Sequence, residues 1–114
     1  MENVEIKVQE MDYSGTEAYK SLRTNLQFCG EDKKVIAVTS CTPNEGKSSV
    51  TMNLAVSMAE AGKKVILIDA DMRKSVLVGR TKVRSSVKGL THYLSIQAPL
   101  IDVICSTNVK NLSI

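Results

Sequence analysis

Aromatic residues are scarce in this chain: tryptophan is absent, phenylalanine occurs once and tyrosine three times in 114 residues. A surface that binds nucleic acid by base stacking needs aromatic platforms. The basic stretch of the chain offers none: Arg73, Lys74, Arg80, Lys82, Arg84 and Lys88 follow one another without an intervening acid or aromatic ring. It reads as a solvated, loop-rich face, and no specific nucleic-acid partner is expected. Long apolar runs are missing as well. Nothing approaches the ~20 residues of a membrane span. The opening MENVEIKVQEMD lacks the basic start and apolar segment of a secretory signal. The expected location is the cytoplasm. Histidine occurs once, and Cys29, Cys41 and Cys105 are an odd, widely spaced set without a C-x-x-C pair. That pattern argues against a zinc site or a disulfide framework and for free thiols.

The chain does have the length of one domain, 1–114, with a modest core. Residues 1–12 alternate weakly at Val4, Ile6 and Val8, so residues 1–13 are expected to form an edge strand or a flexible tail. SGTE (14–17) has the pattern of a capping box, Ser14 bonding a backbone N–H while Glu17 reaches back. The helix it opens carries Leu22 and Leu26 on one face beside Tyr19 and Cys29, and should stop at Gly30. VIAV (35–38) is a β-branched, apolar run of the kind buried on both faces of a sheet. Downstream, Val50, Leu54, Met58 and Ala61 recur at helical spacing until Gly62, and KVILIDAD (64–71) is a second buried-strand run. Strand, loop, helix and strand make a βαβ unit with parallel strands and a right-handed crossover. GLTHYLSI (89–96) suggests a helix with Leu90, Tyr93 and Leu94 inward. PLIDVICS (99–106) reads as a helix starting at Pro99, and NLSI (111–114) as the start of a third strand. The expected class is α/β.

Between the first strand and the helix lies CTPNEGKSS (41–49), close to the phosphate-loop pattern G-x-x-x-x-G-K-[ST] with Cys41 in place of the first glycine. A polyphosphate needs several backbone N–H groups aimed into one concavity, and a turn entering a helix N-terminus supplies them. Gly46 lets the backbone curl close. Lys47 brings an ammonium to the outer phosphates, and Ser48 a hydroxyl suited to a bridging Mg2+. Asn44 tolerates a left-handed turn better than other non-glycine residues.

The second motif is VILIDADMR (65–73). Asp69 and Asp71, at i and i+2, point to one side of the strand at the carboxyl edge of the sheet, where open α/β folds bind ligands. The pair can hold Mg2+, or one member can accept a proton from an attacking hydroxyl.

TEAYKSLRTNLQF, TSCTPNEGKSS and LIDADMR, in that order, resemble the bacterial tyrosine kinases of capsule and exopolysaccharide synthesis, P-loop proteins related to the MinD and ParA ATPases. The resemblance spans roughly residues 16–114. It implies a P-loop fold of three αβα layers around a parallel sheet, with Mg2+ and ATP as cofactors and Thr42, Pro43, Asn44, Glu45, Gly46, Lys47, Ser48 and Ser49 as the ATP-binding loop. It also implies catalysis by Lys47, Asp69 and Asp71, metal binding by Ser48, Asp69 and Asp71, and Arg73 as the last residue of the D-x-D-x-R segment. The family's E-x-x-R-x-x-R self-association pattern falls on Glu17, Lys20 and Arg23, with lysine in place of the middle arginine. A ring-like oligomer or dimer and a separate membrane adaptor that recruits and activates the kinase are the implied partners. The family's Walker B strand and tyrosine-rich tail have no counterpart in these residues, so an incomplete, apparently truncated domain is expected. Two other functions compete. One is a nucleotide-driven switch of the MinD/ParA kind, against which stands Thr42 where those proteins carry a signature lysine. The other is a non-catalytic fragment that binds nucleotide or self-associates.

Overall fold

Asp12 opens the first helix. Its carboxylate accepts the Gly15 N–H at 2.8 Å, and its own extended backbone precedes α1, Tyr13–Gln27. The cap is therefore Asp12 instead of Ser14, because the acid two residues upstream already offers an N-cap oxygen to the free N–H groups. Gly30, at φ 117°, ends the turn after α1. The computed structural model describes residues 3–6, 8, 10–30, 32–39, 47–70, 81–82 and 89–114.

Helix α2 spans Lys47–Glu60 and closes at Gly62. The Gly62 N–H bonds the Ala59 carbonyl and the Lys63 N–H bonds that of Met58, the pairing of a Schellman cap. Gly62 sits at φ 89°, where a side chain is strained although nothing crowds the site. Two short helices follow, α3 at Leu90–Leu94 and α4 at Leu100–Val103 after Pro99.

Among the described residues five strands form one sheet: β1 (Asn3–Ile6), β2 (Val65–Ile66), β3 (Thr81–Lys82), β4 (Ser106–Thr107) and β5 (Leu112–Ser113), ordered β2-β5-β4-β1-β3. The β2–β5 and β1–β4 pairings are parallel, while β4–β5 and β1–β3 are antiparallel. The α/β class holds, with a mixed sheet in place of a purely parallel one. The expected third strand is β5. Its turn from β4 is held by Thr107, whose hydroxyl donates to the Leu112 carbonyl at 2.8 Å, and by Asn111 at φ 69°. β1 lies between β4 and β3, with Val4 and Ile6 each only 2% exposed. Where β4 ends, Asn108 continues the ladder: its amide accepts the Ile6 N–H at 2.6 Å and donates to the Ile6 carbonyl at 3.1 Å.

The core is α2 laid on this sheet. Met52, Ala55, Val56 and Ala59 pack with Ile6, Leu67 and Leu112, and Val65, Val109 and Ile114 close the margin. The inward face differs from the expected one. Leu54 is buried, but Val50 and Ala61 are exposed. Residues 52–57 are buried continuously because α2 has a neighbour on two sides, the sheet and α1.

Three further expectations are corrected. The run 35–38 forms no strand, and Val35 and Ile36 stand 91% and 43% exposed. Apolar, β-branched composition favours a strand only where a ladder partner exists, and none of the described strands pairs with these residues. The run 64–70 is covered on one face instead of two: Leu67 packs on α2, whereas Ile66 and Ile68 are exposed. Leu22 of α1, Cys29 just beyond it, and Tyr93 and Leu94 of α3 are exposed, and neither helix buries a residue. Neither Cys29 nor Cys105 forms a disulfide, and Cys105 is buried.

Asn108→Ala removes both amide bonds to the buried Ile6 backbone. We expect it to destabilise the fold by about 2 kcal/mol, measured by urea denaturation; an unchanged midpoint would contradict the bridging role. Gly62→Ala should cost about 1 kcal/mol by the same assay, from backbone strain alone.

Candidate functional site

Lys47 is the first residue of α2, and Ser48, Ser49 and Val50 complete its opening turn. The first turn of a helix leaves N–H groups without partners inside the helix, and the aligned peptide dipoles make that end positive. The strand β2 follows α2 directly through residues 61–64, so the chain reverses and β2 runs back along the helix. The strand therefore points toward the end of the molecule at which α2 begins. The helix, 14 residues long, spans about 21 Å. The extended stretch from Val65 to Asp69 advances about 13 Å toward the same end. Asp69 is half-buried there, three residues beyond the last β2 residue, Ile66.

Thr42, Pro43, Asn44, Glu45 and Gly46 lie outside the described residues, as do Cys41, Asp71 and Arg73. Lys47 and Ser48 are described as helical backbone. Among the described residues no group of three or more His, Cys, Asp or Glu side chains gathers into a metal site. In donor chemistry, a serine hydroxyl and two aspartates are hard oxygen ligands, which suit Mg2+ and not a softer metal.

The three residues of the self-association pattern separate into two environments. Glu17 and Lys20 form an ion pair of 3.5 Å on the solvent side, with side chains 44% and 51% exposed. An exposed i, i+3 pair of this kind contributes little to stability. Arg23 turns the other way. Its guanidinium donates to the Ser57 carbonyl at 2.8 Å and to the Ser57 hydroxyl at 3.3 Å. One turn earlier the Asn53 amide donates to the Tyr19 hydroxyl at 3.3 Å. Asn53 and Ser57 are the buried polar residues of α2, 8% and 6% exposed. Sequence reasoning passed over both. The available signal was two polar residues four apart in the otherwise apolar MNLAVSMA, a spacing that puts them on one helix face and demands partners there. The tyrosines are dispersed: Tyr13 is 81% exposed, Tyr19 is tied to α2, and Tyr93 lies on α3.

No described helix is long and apolar enough to cross a membrane. A family model described as ParA, an iron-transfer P-loop NTPase of the NUBPL kind, matches residues 31–99. The tyrosine-protein kinase CpsD of Streptococcus agalactiae is 49% identical over 98 residues, which is 86% of this chain and 43% of that protein. Its namesake in Streptococcus pneumoniae serotype 4 is 43% identical, covering 98% of the chain and 50% of the relative. The tyrosine-protein kinase YwqD of Bacillus subtilis is 37% identical over 96% of the chain. Among solved structures, the chimerical protein CapA2B2 superposes with a TM-score of 0.75 at 34% identity, over 85% of this chain and 43% of that one. The chain spans about half the length of the curated relatives it matches. The family model matches more than half of the chain, so this chain belongs to the ParA-like P-loop NTPase family, and the relatives it resembles over most of its own length are named as bacterial tyrosine-protein kinases.

Proposed function

We propose that the chain supplies the ATP- and Mg2+-binding part of an autophosphorylating protein-tyrosine kinase of capsule or exopolysaccharide synthesis. The observation that carries this reading is that Lys47, the lysine of the G-K-S motif, stands at the first position of α2, with β2 packed along that helix. The relatives named as tyrosine-protein kinases support the chemistry. In this reading residues 42–49 bind the phosphates through their N–H groups and the positive end of α2. Lys47 neutralises charge on the transferred phosphoryl group, and Ser48, Asp69 and Asp71 hold the metal. A bound Mg2+ would draw charge from the phosphate oxygens and orient them for in-line attack. Asp69 takes the proton of the attacking tyrosine hydroxyl. Glu17 and Lys20, facing solvent, are available to a neighbouring copy in a ring or dimer, and a membrane adaptor recruits the kinase from the cytoplasm.

A second reading is favoured by the ParA family match: a nucleotide-driven switch that hydrolyses ATP without transferring phosphate to protein. Thr42, standing where that group carries its signature lysine, weighs against it.

Lys47→Met should weaken Mg-ADP binding by about 10- to 100-fold, the value of a charge-assisted contact to phosphate. Calorimetric titration of both proteins reads this directly, and equal affinities would remove Lys47 from the site. Incubation with γ-labelled ATP separates the two functions. Label on tyrosine is the expected outcome for the kinase, and label released only as free phosphate is the outcome for the switch.

A further inference from the structure

We propose that Arg23 and Tyr19 are positioning residues for the nucleotide site, acting through α2. This rests on the reading that the N-terminus of α2 binds nucleotide, and it gives an in-chain task to a residue that the family resemblance assigns to self-association.

The geometry is a two-rung ladder. Tyr19 meets Asn53 and Arg23 meets Ser57, each pair separated by 34 residues in sequence. The equal offset means that α1 and α2 run in the same direction in one register. The two rungs are spaced four residues apart along each helix, so both lie on a single face of each. On the α2 side the rungs are Asn53 and Ser57, both buried. A buried amide and a buried carbonyl lose their compensation if α2 slides or rotates away from these partners. On the α1 side apolar packing is partial, since Tyr19 and Leu26 are half-buried and no α1 residue is fully buried. The polar rungs therefore set the register, where apolar packing alone would tolerate slippage.

The position of Arg23 adds to this. Ser57 opens the last turn of α2, where carbonyl oxygens carry the negative end of the helix dipole. The Ser57 carbonyl also accepts the Ala61 N–H at 3.2 Å, so the arginine joins an oxygen at the point where the helix terminates. The cation holds the far end of a helix whose near end is Lys47. Because a helix is a stiff rod, displacement at Ser57 carries to the first turn. Misplacement of binding groups by about 1 Å is enough to cost large factors in function. The sheet face of α2 leaves sliding along its axis to be opposed by side-chain packing, and the ladder opposes it with directed bonds.

The test compares the full chain with Arg23→Ala, Arg23→Lys and Tyr19→Phe, taking Leu22→Ala, an exposed α1 residue, as the control. Mg-ADP affinity is titrated at a temperature where circular dichroism shows every protein folded. Sedimentation at the same concentration reports the oligomeric state, and amide hydrogen exchange follows α2. We expect Arg23→Ala to weaken Mg-ADP binding by about 5-fold and Tyr19→Phe by about 2-fold, with Leu22→Ala unchanged. Arg23→Lys should recover most of the affinity, because an ammonium can still reach the Ser57 carbonyl. Exchange in Arg23→Ala should rise through residues 49–53 as well as beside Ser57. Unchanged affinity in the folded Arg23→Ala protein would overturn the proposal, as would a loss that tracks dissociation of an oligomer. If the parent protein binds no Mg-ADP, the nucleotide reading fails on its own. Exchange then decides on the ladder: faster exchange across residues 49–53 upholds it, and a change confined to residues 57–61 ends it.

Discussion

The structure depends on α2 being covered on two sides at once. Its apolar stripe of Met52, Ala55, Val56 and Ala59 needs the sheet, and its polar pair of Asn53 and Ser57 needs α1. Remove the sheet and the apolar surface returns to water; remove α1 and two buried polar groups lose their partners. The costs differ in kind, the first proportional to area and the second set by unsatisfied hydrogen bonds. Together they hold the helix that begins at Lys47 of the G-K-S motif. The sheet in turn depends on small polar devices at its seams, Asn108 across from Ile6 and Thr107 within the β4–β5 turn.

Much of this was legible in the sequence where local chemistry decides. Gly30 and Gly62 end their helices at positive φ, as residues without a Cβ are suited to do. The third strand begins where NLSI suggested, and a helix and a strand form within the segments read for α2 and β2, although α2 turns a different face inward and β2 is short and covered on one side. The motif segments predicted a P-loop kinase relationship that the comparisons bear out. Reading failed where the outcome depends on a neighbour. VIAV has strand composition but no described ladder partner, and the face of α1 read as inward is only partly covered, Leu26 half-buried and Leu22 exposed. Periodicity tells which residues share a face; it does not tell what faces them.

Within the site the legible part was the order of elements and the residue types, and the less legible part was how they are held. Glu17, Lys20 and Arg23 look equivalent on a helical wheel, three charged residues spaced by three. The structure divides them, two toward solvent and one toward α2, because Ser57 presents a carbonyl and a hydroxyl within reach of Arg23. An exposed ion pair and a charge bonded to a buried residue are different things energetically, and only the second constrains geometry.

The central claim is that the N-terminal turn of α2 is the phosphate-binding end of a nucleotide site. Amide hydrogen exchange of the chain with and without Mg-ADP tests it most directly. The account predicts that nucleotide slows exchange in residues 47–53 and in the strand end around Asp69, leaving α3 and α4 unaffected. Exchange that is unchanged in the first turn of α2 at saturating Mg-ADP, or protection appearing only elsewhere, would contradict it.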